Sequence, residues 1–385
     1  MPLNADWRDY CADPDGALGG NSAALLTSGA DSFGELLAAL RSARRFALLE
    51  FYAFADDSVG RLFAALLREK AAQGVAVYLL YDGVGSVLTG RDFFDGLAAA
   101  GVRVAEFRPV ILWKPYRNWV KRDHRKLVCV DGETAFVGGF NITANDAPES
   151  LGGRGWKDMM AVVKGPAVAA VEKHFWETWA ESAHAGPRRE PPPPPAAGPA
   201  CAGDKYVSVL SASGIRKSHS IRCSYAHAIE RARERIYITN AYFLPDRSVY
   251  RKLIAAARRG VDVRIIGPGE TDHPYVRWAS WSRYGHMIKN GIRLYEWRGP
   301  MLHTKAAVID GVWSSVGSHN LDHRSLHYNL EMNLNVHDRE FCGAVARAFK
   351  DDMKNSVQIT LTEVKGRPLV SKAASKLLYL FRSWL

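Results

Sequence analysis

A histidine and a lysine two residues apart occur twice in the sequence, each time at the start of the same pattern. The first copy begins at His124 and Lys126, and the second begins at His303 and Lys305, at a constant offset of 179 residues. Both follow H-x-K-x4-D-G-x5-G-[GS]-x-N without a gap. The other polar members are Asp131 and Asn141 in the first copy and Asp310 and Asn320 in the second. Seven matched elements indicate a duplicated unit rather than a chance match.

These residue types suit chemistry on a phosphate. In a strand, residues two apart project from the same face, so His124 and Lys126 are expected to lie side by side. A neutral imidazole can attack or transfer a proton, and an ammonium group or an amide can bind an anionic oxygen. Two copies face to face would surround one phosphate, with one histidine as nucleophile and the other as general acid. The lysines supply positive charge, so no metal and no other cofactor is expected.

The elements that must position the two copies appear in the same order twice. Strands are predicted at 46–52, 74–82 and 101–107 before the first copy, and at 236–243, 260–266 and 291–297 before the second, with helices between them. This alternation predicts two tandem α/β units, each with a largely parallel sheet. The motif itself is predicted to form a hairpin that turns at Asp131 and Gly132. A capping box at Ser32 and Glu35 predicts the start of the first helix.

A proline-rich stretch divides the chain. Pro187 opens a segment that contains five consecutive prolines, which is typical of a stiff spacer between domains. The expected organisation is a first half at 1–186, a linker at 187–202, a second half at 203–350 and a C-terminal tail at 351–385. An alternative for the spacer is a ligand for an aromatic groove of a partner protein.

Charge and apolar patterning restrict the partners. The net charge of +11 and pI of about 9.4 favour a polyanionic partner, which leaves nucleic acid, an anionic membrane and a phosphorylated substrate open. The first ten residues lack an apolar signal region and no run of 18 apolar residues occurs, so no membrane span is expected. The five scattered cysteines lack a C-x-x-C pair, which argues against a zinc site and indicates a reducing compartment.

Two segments that precede the motifs interleave aromatic and basic residues and are candidate substrate walls. Their candidate contact residues are Trp113, Tyr116, Arg117, Trp119, Tyr275, Arg277, Trp278 and Trp281. The pattern suits lipid headgroups at a bilayer interface, and it equally suits bases of single-stranded nucleic acid. A third interpretation is packing of the rings between the two halves.

The C-terminal tail contains an amphipathic pattern. Apolar residues of one helical face are Val370, Ala374, Leu377, Phe381 and Trp384, and basic residues lie elsewhere on the same helix. This pattern predicts either an interfacial membrane helix or a helix that docks on the second half. Together with the net charge, it favours a membrane over nucleic acid as the partner.

The twin motifs resemble those of the phospholipase D superfamily. The resemblance runs from about Ser32 to Asp338 and is strongest to bacterial cardiolipin synthases of the subtype without N-terminal transmembrane helices. It rests on flanking sequence such as Phe51-Tyr-Ala-Phe-Ala-Asp-Asp and Asn320-Leu-Asp-His-Arg-Ser-Leu. It implies two α/β/α sandwich units related by a pseudo-twofold axis, with one shared active site.

The resemblance also implies roles for individual residues. His124 would be the nucleophile and His303 the general acid and base, while Lys126, Lys305, Asn141 and Asn320 would bind phosphate oxygens. Asp131 and Asp310, although part of the catalytic motif, are expected to support the turn. Each histidine also needs an orienting acceptor, for which Asp158 and Glu331 are the candidates. Which carboxylate serves which histidine is left open, and Asp158 could instead pair with Lys157.

The expected activity is that of a cardiolipin synthase-type phosphatidyltransferase. It would move phosphatidyl from phosphatidylglycerol through a phosphohistidine to a second phosphatidylglycerol and release glycerol. The expected partners are anionic phospholipid and a membrane surface rather than nucleic acid, and the expected location is cytoplasmic, peripheral on the inner membrane. The alternative is a phospholipase D or phosphodiesterase of the same superfamily. The acceptor alcohol and the oligomeric state stay open.

Overall fold

The fold is given by a computed structural model of the chain. It describes residues 5–110, 120–185, 201–213 and 220–381. Residues 111–119, which include the residues of the first predicted substrate wall, lie outside the described ranges, as do residues 186–200, which include most of the linker predicted at 187–202.

The first half alternates strands and helices as expected and then adds the motif hairpin. Its elements are β1 (Leu18–Leu26), α1 (Gly29–Ser42), β2 (Phe46–Phe51), α2 (Ser58–Ala72), β3 (Ala76–Asp82), α3 (Arg91–Ala99), β4 (Arg103–Phe107), β5 (Lys126–Val130), β6 (Thr134–Gly138), β7 (Met160–Lys164), α4 (Ala167–Glu181) and β8 (Ala183–Ala185). Short 3-10 helices occur at Trp7–Tyr10 and Glu149–Leu151.

The second half repeats this order. Its elements are β9 (Lys205–Ser213), α5 (Ser220–Arg231), β10 (Arg235–Asn240), α6 (Arg247–Arg258), β11 (Asp262–Pro268), α7 (Pro274–Lys289), β12 (Arg293–Trp297), β13 (Lys305–Ile309), β14 (Trp313–Gly317), α8 (His323–His327), β15 (Leu330–His337), α9 (Arg339–Lys354) and β16 (Ser356–Gln358). Two further helices follow, α10 (Leu361–Gly366) and α11 (Leu369–Leu380). The boundary predicted at residue 350 falls inside α9, and the domain limits stay a prediction.

One sheet of 16 strands runs through both halves of the described chain. Its order is β16-β12-β11-β10-β13-β14-β15-β9-β1-β7-β6-β5-β2-β3-β4-β8, so each half contributes eight strands in the same relative order. The halves join where β1 pairs antiparallel with β9. The arrangement therefore has the expected pseudo-twofold relation, with the motif hairpins at equivalent places.

The expectation of largely parallel sheets was wrong. Only β2, β3 and β4 in the first half, and β10, β11 and β12 in the second, pair in parallel. Helices connect these strands and return the chain to the same edge of the sheet, so the next strand runs in the same direction. The tight turn within each motif instead reverses the direction of the chain. The hairpins of β5 with β6 and β13 with β14 are antiparallel, as are the strands that follow them.

Helices and the other half cover the two faces of each sheet. In the first half, the helices α1, α2 and α3 pack on one face, and α4 lies on the other. That second face belongs to a core that both halves share, since Val163, Phe175, Tyr237 and Met332 are members of one buried cluster. β3 is buried at every position after Ala76, as expected for a near-continuous apolar run in a strand that is covered on both faces.

The predicted capping box was wrong in position. The first helix begins at Gly29, and the Ser28 side chain caps it by accepting a hydrogen bond from the backbone N–H of Asp31 at 3.1 Å. Ser32 is fully buried within the helix instead. Several polar residues near this start can each cap a helix, and packing of the apolar face selects the one that is used.

Candidate active site

Both motif histidines lie at the seam between the halves, immediately before the strands β5 and β13. The backbone N–H of His124 donates to the carbonyl of Leu330 in the second half at 2.9 Å. The backbone N–H of His303 donates to the carbonyl of Lys157 in the first half at 2.8 Å. These hydrogen bonds belong to two isolated parallel bridges between the halves. The residue that follows each acceptor, Glu331 after Leu330 and Asp158 after Lys157, therefore lies beside the histidine of the opposite half.

The orienting carboxylates are therefore exchanged between the halves. His124 Nδ1 lies 3.1 Å from both carboxylate oxygens of Glu331, and His303 Nδ1 lies 2.8 Å from Asp158 Oδ2. Both carboxylates are buried, at 0% and 1% exposure. A carboxylate accepts the proton on Nδ1, so the Nε2 atom of each ring is left to react. The alternative partner of Asp158 is excluded, since Lys157 pairs with Asp352 at 3.3 Å.

Burial makes both imidazoles weak bases. It lowers the pKa of His124 well below its ordinary value of 6.5, and the charges of Lys126 and Lys305 lower it further. Burial and Lys305 have the same effect on the pKa of His303. Burial also raises the pKa of Asp158 to about 7. Asp158 and His303 together can therefore hold one proton near neutral pH, while His124 stays neutral and nucleophilic.

The two lysines lie against the histidines that precede them. Lys126 Nζ donates to the carbonyl of His124 at 2.7 Å, and Lys305 Nζ donates to the carbonyl of His303. Burial lowers the pKa of Lys126 to about 7 and also lowers that of Lys305. A bound phosphate would favour the charged form of both lysines, because it adds an opposite charge beside them.

The two motif asparagines differ in what they contact. Asn141 Oδ1 accepts a hydrogen bond from the backbone N–H of Ala53 at 3.1 Å. Asn320 is 3% exposed, and its Oδ1 has no hydrogen-bond partner among the described residues. The Ala53 contact thus fixes the orientation of the Asn141 amide, whereas the Asn320 amide oxygen accepts no hydrogen bond from the described residues.

The residue after the motif glycine, Gly139 in the first copy and Ser318 in the second, determines how closely each carboxylate can approach. A Cβ at Gly139 would lie only 2.0 Å from Asp158 Oδ2, so only glycine fits there. In the second copy this position is Ser318, whose Oγ donates to Glu331 Oε2 at 2.5 Å. Ser318 is a site residue that the sequence analysis did not assign, although the glycine-or-serine position of the motif contains the signal.

The motif aspartates lie at the far end of β5 and β13 from the lysines. Asp131 accepts hydrogen bonds from the backbone N–H groups of Arg44, Arg45 and Phe46 at 2.8–2.9 Å. Its φ of 55° makes the tight turn that begins the hairpin. Asp310 accepts hydrogen bonds from the backbone N–H groups of residues 233–235 and from the Tyr10 hydroxyl. Five residues of strand, roughly 16 Å, separate each aspartate from the lysine of the same motif.

We expect Asp131→Ala to lower the free energy of unfolding by about 2 kcal/mol, because three backbone N–H groups lose their acceptor and the positive φ no longer suits the residue. Denaturant unfolding measures this change, and Glu133→Ala, an exposed position in the same turn, is the matched control. Activity per folded molecule should persist. Loss of activity at unchanged stability would contradict a structural role.

Three aromatic rings that no sequence pattern predicted surround the histidines. Tyr52 lies edge-on to His124 at 5.1 Å between ring centroids, and Lys126 Nζ lies 5.2 Å from the same Tyr52 ring. Trp156 and Tyr242 lie 5.7 and 6.4 Å from the ring of His303. These rings exclude water from the imidazoles and account for much of their burial.

The predicted substrate walls are only partly brought to the site. Trp113, Tyr116, Arg117 and Trp119 lie outside the described residues. On α7, Arg277 pairs with Glu296 at 2.9 Å, and the Trp281 indole N–H donates to the same carboxylate at 3.3 Å, so both are held inside the second half. Tyr275 and Trp278 are exposed by 40% and 44%.

The chain matches a family model described as "Cardiolipin synthase, PLD-like domain" over residues 36–179 and 225–353. It is 36% identical to cardiolipin synthase A of Pseudomonas fluorescens (strain SBW25) over 352 residues, which is 90% of this chain and 71% of that protein. It is 33% identical to the major cardiolipin synthase of Bacillus subtilis (strain 168) over 371 residues, or 93% of this chain and 75% of that one.

Solved structures share the fold at low identity. A phosphatidylserine synthase of Haemophilus influenzae superposes with a TM-score of 0.71 at 13% identity, and the match covers 96% of this chain and 97% of that chain. A polyphosphate kinase of Porphyromonas gingivalis matches with a TM-score of 0.58 at 14% identity, over 94% of this chain and 53% of the kinase.

Proposed function

This chain belongs to the phospholipase D-like family of cardiolipin synthases, and we propose that it is a phosphatidyltransferase that makes cardiolipin from two molecules of phosphatidylglycerol. The observation that carries the proposal is the exchanged pairing of His124 with Glu331 and of His303 with Asp158. It puts two oriented imidazoles, each backed by the opposite half, around one site with two lysines.

In the first step, His124 Nε2 attacks the phosphorus of phosphatidylglycerol. A P–N bond forms, the P–O bond to glycerol breaks, and the proton held by the His303–Asp158 pair goes to the glycerol oxygen. Lys126 and Lys305 balance the charge of the phosphate oxygens as the bonds change. Glu331 stabilises the positive charge that develops on His124.

In the second step, His303 takes the proton from the terminal hydroxyl of a second phosphatidylglycerol. The resulting oxygen attacks phosphorus, the P–N bond breaks, and neutral His124 returns. One glycerol is released for each cardiolipin formed, and the proton given in the first step is recovered in the second. Water in place of this alcohol would give phosphatidate instead.

Product analysis tests the proposal. The purified chain is incubated with phosphatidylglycerol vesicles, and lipids and free glycerol are quantified by mass spectrometry. Equal amounts of cardiolipin and glycerol are the expected result. Phosphatidate as the main product would identify a hydrolase, and phosphatidylethanolamine in the vesicles tests a different acceptor.

We expect kcat/KM to fall as the pH rises through about 7. The free enzyme loses the proton of the Asp158–His303 pair and the charge of Lys126 in this range, because burial shifts the pKa of Asp158 up and that of Lys126 down to about 7. Because the pKa of the His124 imidazole is lowered well below 6.5, this ring loses no proton as the pH rises through 6.5. Initial rates across pH 5–9 measure this dependence. A rate that rises through pH 6.5 to a plateau would contradict it.

The C-terminal helix suggests how the protein reaches its lipid. Among the described residues, no helix combines the length and apolar character that a membrane crossing requires. α11 packs against α7, where Arg283 lies 4.1 Å from the ring of Tyr379. Yet its large apolar residues face solvent, namely Leu369, Val370, Leu377, Leu380 and Phe381, at 54–81% exposure. The helix thus docks on the second half, as one of the two alternatives predicted, while the membrane alternative stays a prediction; Trp384 lies outside the described residues.

We propose that this face of α11 lies in the headgroup region of the inner membrane. Leu377→Glu should weaken binding to phosphatidylglycerol vesicles about tenfold to hundredfold, because the apolar side chain no longer enters the bilayer and the charge is repelled. Vesicle sedimentation measures the binding. Ala99→Glu, an exposed position at the end of α3, is the control, and equal binding of both variants would refute the proposal.

A further inference from the structure

A series of four contacting side chains, Tyr242, Asp272, His273 and Tyr275, leads from His303 to the surface. Its innermost member is Tyr242, which follows β10, is 9% exposed and lies with its ring at 80° to that of His303. The Tyr242 hydroxyl donates to Asp272 Oδ1 at 2.5 Å. Asp272 Oδ2 lies 3.6 Å from His273 Nε2, and His273 Nδ1 lies 2.9 Å from the Tyr275 hydroxyl.

These side chains become more exposed away from the histidine. The side chains of Asp272 and His273 are 37% and 47% exposed, and Tyr275 is 40% exposed. Their rings follow one another, with centroids 5.4 Å apart from Tyr242 to His273 and from His273 to Tyr275. The group therefore forms one wall of the entrance on the His303 side. The phosphate chemistry described above does not use it.

The carboxylate of Asp272 is the unexpected member of this wall. It acts on the pKa of Lys305 in the second half and of Tyr52 in the first, so its charge reaches across the site. A carboxylate here repels the substrate phosphate and weakens phosphate binding. Neutral hydroxyls are a ligand group that a carboxylate at this place can bind well.

Asp272 has capacity for further hydrogen bonds. An ionised carboxylate has about four acceptor positions. Tyr242 and Thr271 donate to Oδ1 at 2.5 and 3.4 Å, and this leaves the two positions on Oδ2, which lies 3.6 Å from His273 Nε2. Two neighbouring hydroxyls of one ligand can donate to the two remaining positions. The His273 ring and the Tyr275 hydroxyl can each donate to or accept from the same ligand.

We propose that Asp272, held by Tyr242 and His273, forms a subsite for the vicinal hydroxyls of a glyceryl headgroup. This inference rests on the proposed function, in which His303 protonates the leaving glycerol and deprotonates the attacking alcohol. Both alcohols must then occupy the His303 side of the phosphate, where the subsite lies. Both are glyceryl groups with a hydroxyl on the carbon next to the reacting oxygen. The subsite therefore binds two hydroxyls of the leaving glycerol and one hydroxyl of the attacking phosphatidylglycerol.

The test compares two donors that differ only in these hydroxyls. Phosphatidylglycerol and phosphatidylpropanol, the 1-propyl ester, are given separately to the full-length chain, and release of glycerol or propanol is measured. We expect the wild-type protein to prefer phosphatidylglycerol in kcat/KM by about tenfold to hundredfold, the usual range for hydrogen bonds to a charged group. Asp272→Asn should reduce this ratio at least about tenfold.

Two further variants make the result interpretable. Tyr242→Phe keeps the ring against His303 but removes the hydroxyl that holds Asp272, and it should reduce the same ratio about threefold to tenfold. Asp351→Asn, which makes the same change at an exposed ion pair far along α9, should keep the wild-type ratio. Circular dichroism confirms that each variant is folded, and Tyr242→Phe decides the question if Asp272→Asn does not fold.

The outcomes separate this inference from the proposed function. Wild-type protein that makes cardiolipin but shows no preference between the donors, or variants that keep the wild-type ratio, would overturn the diol subsite alone. Wild-type protein that releases neither alcohol and makes no cardiolipin would overturn the proposed function and the subsite with it.

Discussion

Replacing His124 by asparagine should lower phosphatidyl transfer by at least about 10⁴-fold and prevent formation of a phosphoenzyme. Asparagine fills the same space but has no nitrogen lone pair that can attack phosphorus. Radiolabelled phosphatidylglycerol followed by rapid quenching measures both effects, since phosphohistidine is lost in acid and kept in base. The wild-type protein should show label of this kind, and His124→Asn should show none.

His303→Asn should lower transfer by about 10²–10⁴-fold for a different reason, the loss of proton transfer to and from the alcohols. A donor with p-nitrophenol as the leaving group needs no proton, so it should restore the first step in His303→Asn but not in His124→Asn. The control is His174→Asn, which removes another histidine paired with a carboxylate, Glu177 at 2.9 Å, on α4. Rescue of His124→Asn instead would reverse the assignment of the two histidines.

The second large loss of transfer activity is expected when either of the two exchanged carboxylates is replaced by its amide. Glu331→Gln and Asp158→Asn should each lower transfer about 10²–10⁴-fold, because the amide no longer fixes the ring or balances the imidazolium charge. Glu331 contacts His124 and Asp158 contacts His303, so the two variants should differ in the step that they impair. Alcohol release in a single turnover, with glycerol or p-nitrophenol as the leaving group, measures that step.

The leaving-group experiment distinguishes the exchanged pairing from pairing within each half. The p-nitrophenyl donor should rescue Asp158→Asn, which impairs the acid, and should leave Glu331→Gln slow. The opposite result would mean that each carboxylate serves the histidine of its own half. Asp352→Asn, at a buried carboxylate that pairs with Lys157, is the matched control and should keep its rate on both donors.

Much of the site could be predicted from the sequence because the chain contains it twice. A constant offset identifies His124, Lys126 and their second copies without any structure, and the period of apolar residues identifies the strands that hold them. The expectation that Asp131 supports a turn also came from local sequence, since Asp-Gly favours positive φ. Apart from the offset between the copies, each of these signals lies within one short stretch of the chain.

What required the tertiary structure were contacts between residues far apart in the chain. Glu331 lies 207 residues from His124 in the sequence. The two residues lie side by side because a bridge joins Leu330, the neighbour of Glu331, to Asp123 in the first half. Tyr242 and Asp272 likewise meet only where β10 ends beside the start of α7. A local sequence pattern does not predict such contacts, because strand order and the packing of the two halves determine which distant residues meet.

The sequence by itself therefore determined the chemistry: two imidazoles and two ammonium groups in a repeated unit. The tertiary structure decided the partners, since the seam exchanges Glu331 and Asp158 between the halves and buries both histidines. The physical reason is that residue type is a local property, whereas burial and hydrogen bonding depend on which distant strands meet. Packing within the second half likewise places the Asp272 carboxylate beside Tyr242, where we propose that it distinguishes one alcohol from another.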